Sequence, residues 1–352
     1  MRRKRCGVVL QAILCLKAAT TVADAAVDGA LDASSARAVD GALDSSARAV
    51  DGALDASSAR AEHACANAAN ATARFDELDS LVAVARHPVA DLASAAGRAL
   101  VARARDDLAR EGCASFAEFL APAALADAAA EARAAAPAAF ATDDWHNAYQ
   151  LATSDDHPAD HVRNKQMRTL VASTAFDELD PSRAIRRLYA RDEFLELVRA
   201  VTNTTLHRLA DPLGAASVNV FRDGWEHAWH YDESEVTVTL SLQTAESGGR
   251  FEFTERLRAD AGDAAFDATA AVVSAHSAYD VAPAGRTETP AVRAAPFEPG
   301  ALQIFAGKWS LHRVSPVRGL RLVAVFCFSR APGFVNSPDV QRMFWGRAVG
   351  VG

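Results

Sequence analysis

The chain has 352 residues, of which 50% are hydrophobic, and a formal charge of −8. That length accommodates two domains, but the motifs described below leave room for one catalytic domain. The acidic balance excludes a phosphate-gripping basic face, so nucleic acid is not an expected partner.

In chain order, Met1-Arg2-Arg3-Lys4-Arg5 precedes an apolar run from Cys6 to Leu16 and small residues around Thr20 to Ala26. This is the shape of a secretory signal or an organelle-targeting segment over 1–25, too short for a stable membrane span. It predicts a secretory-pathway or organellar location. A mis-assigned start codon would leave the protein cytoplasmic.

An Ala-rich repeat beginning Ala26-Val27-Asp28-Gly29-Ala30 recurs from Ala38 and from Ala49. Units this short and this poor in large apolar groups cannot bury a core, so 26–72 is expected to be a low-complexity linker. Asn70-Ala71-Thr72 and Asn203-Thr204-Thr205 are glycosylation sequons only on a secretory route. Cysteines 6, 15, 65, 113 and 327 form no C-x-x-C pair, which argues against both a zinc ribbon and a disulfide framework. Cys327 lies in an apolar strand and reads as a core residue.

Helix formers dominate the next stretch. Helices are expected over Ala93 to Arg110, over Ala123 to Ala135 after Pro122, and as one helix or a pair over Pro181 to Val201. Strands then cluster between about 215 and 330. Glu235 to Gln243 alternates apolar with polar residues, and Gly248-Gly249 turns into Phe251-Glu252-Phe253. Pro299-Gly300 turns into Ala301 to Phe305, and Leu320 to Phe328 reads as a buried strand. The fold class is α+β, with helices mostly N-terminal to the sheet.

Chemistry concentrates in two patches, Trp229-His230-Tyr231-Asp232-Glu233 and Ser310-Leu311-His312-Arg313-Val314. An isolated H-x-D pair is weak, because chance supplies roughly one in a chain of this composition. Its strand context and the distal His312 strengthen it. Two imidazoles and a carboxylate can take one face of an iron(II) ion and leave the other open. Arg321, at the head of a buried strand, requires an anionic partner, which a dicarboxylate would supply. His157 and His161 have metal-ligand spacing, but Pro158 between them argues for a loop.

The order H-x-D, distal His, then Pro316-Val317-x-Gly319-x-Arg321 resembles the iron(II)/2-oxoglutarate-dependent oxygenases. Short matches along most of the chain after about residue 75 resemble the subfamily of free-amino-acid hydroxylases and radical halogenases. They include Asp211-Pro212-Leu213-Gly214, Val218-Asn219-Val220-Phe221, Gly248-Gly249-x-Phe251-Glu252 and Gly346-Arg347.

The resemblance implies a double-stranded β-helix, or jelly roll, with flanking helices, the catalytic domain being 73–352 and the β-helix core about 215–330. It implies iron(II), 2-oxoglutarate and O2 as cofactor and cosubstrates, with ascorbate as a supporting reductant. His230, Asp232 and His312 would bind the metal, and Arg321 the remote carboxylate. Asn219 and Trp229 would orient ligands or cosubstrate, or serve as packing residues. His227, Asp211, Arg168 and Trp345 fall near positions that contact a small-molecule substrate, each with a structural reading beside it.

Because Asp232 occupies the carboxylate position, hydroxylation is favoured over halogenation, with desaturation left open. The leading substrate class is a small polar metabolite, a free amino acid above all. A prolyl- or lysyl-type protein hydroxylase and a cupin-like metal protein without 2-oxoglutarate are the alternatives. Oligomeric state is not legible.

Overall fold

The computed structural model describes residues 77–260, 262–279, 281 and 288–349. The expected targeting segment and the repeat linker lie outside the described residues. By internal contacts the chain divides into units 1–69 and 70–352, and the second carries everything below.

The helical part begins with α1 (Leu78–Leu81), α2 (Ala95–Glu111) and α3 (Pro122–Ala135) and continues with α4 (Ala184–Ala190) and α5 (Asp192–Thr202). Ser94 caps α2 by accepting from the Gly97 amide, and Gly112 ends it in the left-handed region at φ 90°. Pro122 starts α3, where its missing N–H costs nothing. The Pro181–Val201 stretch is a pair: Arg191 leaves α4 in an extended conformation, and α5 restarts behind it with Asp192 and Glu193 in its first turn.

The strands are β1 (Cys113–Phe116), β2 (Phe140–His146), β3 (Met167–Thr174), β4 (His207–Arg208), β5 (Ala216–Phe221), β6 (His227–His230) and β7 (Val236–Gln243). They continue as β8 (Ser247–Gly248), β9 (Phe251–Arg256), β10 (Val292–Ala294), β11 (Leu302–Phe305), β12 (Ser310–Val314), β13 (Val317–Arg318) and β14 (Arg321–Ser329). Helix α6 (Phe266–His276) is inserted between β9 and β10, and α7 (Pro338–Trp345) closes the chain.

One sheet runs β1-β11-β7-β14-β5-β3-β2 and a second runs β10-β9-β12-β6. Strands β5, β7, β11 and β14 of the first sheet therefore face β6, β9, β10 and β12 of the second. With antiparallel pairing throughout, the chain crosses between sheets as a double-stranded β-helix does. The expected α+β jelly roll is present.

Two features go beyond the sequence reading. Strands β1, β2 and β3 extend the first sheet from within the region read as helical, and α6 interrupts the region read as strands. Helices α3, α4 and α5 pack their apolar faces, including Ala128, Leu188 and Phe194, against sheet residues Val238, Leu240 and Phe326 in one continuous core. No described helix is long and apolar enough to cross a membrane.

Candidate metal centre and its two chambers

His230 is the last residue of β6 and pairs in register with His312 on β12. Strand pairing alone thus brings together side chains 82 positions apart in sequence (312 − 230). Asp232 follows two residues later, where its amide donates to Gly307 O at 3.0 Å. The outcome is a cluster in which one donor atom from each of His230, Asp232 and His312 lies within 4.8 Å of the others. Asp232 Oδ1 sits 3.4 Å from His230 Nε2 and 3.3 Å from His312 Nε2.

The outer hydrogen bonds set the protonation of these groups. His230 Nδ1 lies 2.7 Å from Ala228 O, and His312 Nδ1 lies 2.9 Å from Ser310 O. Each carbonyl can only accept, so each Nδ1 carries the proton and each Nε2 presents a lone pair to the cluster. Burial, followed by the charge of His312, lowers the His230 pKa and favours this neutral form. Burial pushes the Asp232 carboxyl upward, but the charge and hydrogen bond that His312 or His230 offers when protonated at Nε2 outweigh it and hold it well below the usual carboxylate range. Thr237 Oγ1 donates to Asp232 Oδ2 at 2.5 Å, leaving Oδ1 for the cluster. Two neutral imidazoles and one carboxylate are a donor set suited to a divalent transition metal.

Two cavities meet at this cluster. The inner one, about 80 Å³, is lined by Arg321, Asn219, Phe221, Phe251, Phe305 and the triad, among others. Arg321 is only 1% exposed. Its Nε and Nη1 have no hydrogen-bond partner among the described residues, and its guanidinium lies 3.8 Å from the Phe297 ring centroid and 5.2 Å from that of Phe221. Burial alone pushes its pKa down to about 9. A buried cation with no counter-charge is costly, and an anion entering this cavity would relieve that cost.

The outer cavity, about 100 Å³, includes Gln150, Asn219, His227, Glu233, Phe344 and Trp345 in its lining. His227 stacks on His230 with centroids 3.7 Å apart, and its Nε2 is buried without a partner among the described residues. Trp345 Nε1 is likewise buried and unpartnered. The structure therefore brings His227, Asn219 and Trp345 to the cluster together with the triad.

Three residues singled out in the sequence sit elsewhere. Asp211 is buried, but both its oxygens are used: they accept from the Leu213 and Asn336 amides, Asn336 Nδ2 and Gln341 Nε2. It anchors the entry to α7, and no oxygen is left for a substrate. Arg168 is half-buried and forms a bidentate pair with Asp143, with both bonds at 2.8 Å. Its charge is matched away from both cavities. Trp229 is buried under the Arg313 guanidinium, 4.8 Å from its ring centroid, lines neither cavity, and has its Nε1 without a hydrogen-bond partner among the described residues. The stacked His157–His161 pair lies in turns packed on Phe266, and among the described residues it belongs to no metal cluster.

Two contributors were not evident in the sequence. Gly307 faces Asp232 so closely that a Cβ there would overlap its carboxylate. His146, at the end of β2, is packed edge-on to His227 and His230 with centroids 5.9 and 6.2 Å away. Its Nδ1 meets Asn147 O at 3.0 Å and therefore carries the proton, so Nε2 accepts from Thr169 Oγ1 at 2.6 Å. Thr169 Oγ1 in turn accepts from the Ala228 amide at 3.1 Å, while the Ala228 carbonyl holds His230. His230 is thus oriented through a hydrogen-bonded chain that runs to the adjacent strand.

No family model and no curated protein matches this chain. Among solved structures it is similar to a prolyl-4-hydroxylase of Pseudomonas putida, at 16% identity and TM-score 0.40, covering 66% of this chain and 100% of that one. It is also similar to the non-haem alpha-ketoglutarate-dependent epimerase SnoN of nogalamycin biosynthesis, at 14% identity and TM-score 0.45, covering 66% and 84%. A 2OG-Fe(II) oxygenase family oxidoreductase from Burkholderia pseudomallei gives 16% identity and TM-score 0.40, covering 70% and 94%.

Proposed function

We propose that this protein is an iron(II)- and 2-oxoglutarate-dependent dioxygenase that hydroxylates an unactivated C–H bond of a small polar molecule. The observation that carries this reading is one cavity holding both the His230–Asp232–His312 donor set and the partnerless, buried Arg321. A metal-only, cupin-like protein would have no use for a buried free guanidinium beside its donor set. A keto acid with a remote carboxylate would use it, through two parallel charge-assisted bonds.

His230, Asp232 and His312 would hold the metal, and Arg321 the far carboxylate of the cosubstrate. Iron(II) in such a site supplies dioxygen activation coupled to oxidative decarboxylation of 2-oxoglutarate, with ascorbate as a supporting reductant. The chain's own residues do the rest. The carbonyls of Ala228 and Ser310 keep both imidazoles in the ligating tautomer. Thr237 keeps one carboxylate oxygen of Asp232 turned away. Phe221, Phe251 and Phe305 exclude water from the inner cavity. The outer cavity positions the target carbon.

Asp232 fills the position that a halide would need, which favours hydroxylation over halogenation. A small metabolite such as a free amino acid is the substrate class implied by the sequence resemblance. Release of labelled carbon dioxide from 2-oxoglutarate tests the reading. We expect slow iron-dependent release from the wild type, acceleration by one member of a metabolite panel, and none from Asp232→Ala. Iron-loaded wild type that consumes no 2-oxoglutarate under any condition would contradict it.

A further inference from the structure

The charges around the outer cavity narrow what can enter it. Among the described residues lining it there is no lysine or arginine. Its ionisable acids are the ligand Asp232 and the neighbouring Glu233. Glu233 Oε2 accepts from the Ser337 amide at 2.8 Å, and Oε1 accepts from nothing in the described structure. Among the described residues Lys308 forms no ion pair with this carboxylate. Its Nζ goes instead to the Glu233 backbone carbonyl at 3.1 Å and to Glu235 Oε1 at 3.4 Å.

Two aromatic rings of α7, Phe344 and Trp345, face the same space. The two chambers are therefore opposite in character: the inner one is lined by Arg321 and by Arg313, which is paired with Glu252, whereas among its described lining residues the outer one has Glu233 beside the ligand Asp232 and no lysine or arginine. We propose that the end of the substrate entering the outer chamber is a cationic amine, held by Glu233 Oε1 and the faces of Phe344 and Trp345.

This inference rests on the dioxygenase reading, because a bound metal must offset Asp232 for Glu233 to be the chamber's free negative charge. An ammonium there gains a charge-assisted bond and aromatic contact. A carboxylate there would meet an acid with no cation to compensate. A free amino acid would therefore enter with its amine leading and its carboxylate left outside the chamber. Glu233 has a structural duty as well, since it tethers Ser337 at the start of α7. Glu233→Gln retains a carbonyl oxygen for that tether while removing the charge.

The test uses full-length protein loaded with zinc(II), which is diamagnetic and redox-inert, plus 2-oxoglutarate. Ligand-observed NMR then compares n-butylamine, n-butanol and n-butyrate, which differ chiefly in the charge of the head group. We expect the amine to bind best in the wild type and its affinity to fall about tenfold or more in Glu233→Gln. 2-Oxoglutarate affinity, set at Arg321 in the other chamber, should be the same in both, which reports that the site is intact. Butyrate binding as tightly as butylamine would overturn the inference and leave the dioxygenase reading standing. Amine binding unchanged in Glu233→Gln would do the same. Failure of the wild type to bind zinc and 2-oxoglutarate would overturn the reading and the inference with it.

Discussion

Gly307 and Asp232 are locked together twice: the Asp232 amide donates to Gly307 O at 3.0 Å, and the Asp232 carboxylate occupies the space a side chain at 307 would fill. The carboxylate is thus aimed from both ends, by a backbone bond on one side and by Thr237 on the other. Gly307→Ala should displace Asp232 while leaving the sheets intact. Iron(II) affinity, measured by anaerobic titration, is expected to fall roughly tenfold to a hundredfold, the range for disturbing a ligand's support. Unchanged affinity would mean that the loop yields at no cost.

Arg321 predicts opposite effects in the free and ligated protein. Replacing it with Met removes buried donors that have no partner, so the free protein should be stabilised by up to about 2 kcal/mol. The same variant should lose the rise in Tm that 2-oxoglutarate gives the metal-loaded wild type. Thermal melts with and without the keto acid decide both halves.

Glu131 offers a pH test away from the site. Burial raises its carboxyl pKa, despite the Asp180 amide that donates to Oε1 at 2.9 Å and the nearby Arg183. The folded state therefore resists an ionisation that the unfolded chain accepts. Stability is lost as pH rises through the ordinary glutamate range towards the raised folded value, and the effect is absent below that range. Glu131→Gln keeps the acceptor for Asp180. It should melt above the wild type at pH 7, with the difference closing near about pH 4. A constant difference across that range would contradict the assignment.

Cys113 is expected to be inert. It is buried, and that burial pushes its thiol up to about 12. Iodoacetamide at pH 8, followed by peptide mapping, should leave it unmodified until the protein is unfolded, whereas Cys327, half-buried in the wall of the outer cavity, is not covered by that expectation.

Much of the site could be read from the sequence because its chemistry is carried by rare side chains at fixed offsets. His230 and Asp232 are two residues apart, and Arg321 opens a strand too apolar to hold a lone cation. The strand alternation of Val236 to Gln243 also placed the sheet, because Val236, Val238, Leu240 and Leu242 pack on the helical core while Thr237, Thr239 and Ser241 are buried on the opposite face. What escaped the sequence depends on contacts between distant segments. Gly307 looks like any turn glycine until Asp232 is set against it. His146 gains its place only when β2 and β3 join the edge of the first sheet. Asp211 and Arg168 have the charge of substrate ligands, but Asn336 and Gln341 saturate one and Asp143 pairs with the other, and those partners are visible only in three dimensions. Helix α6 lies between β9 and β10 in a region whose pattern had suggested strands.

The most direct test of the central claim is spectroscopic. Iron(II) and 2-oxoglutarate are added anaerobically to the wild type and to His312→Ala, and the visible metal-to-ligand charge-transfer band of a chelated keto acid is sought. The account predicts the band in the wild type and its loss in His312→Ala. A folded wild type without the band, or a variant that keeps it, would contradict the assignment of this cluster as the centre that binds iron and 2-oxoglutarate together.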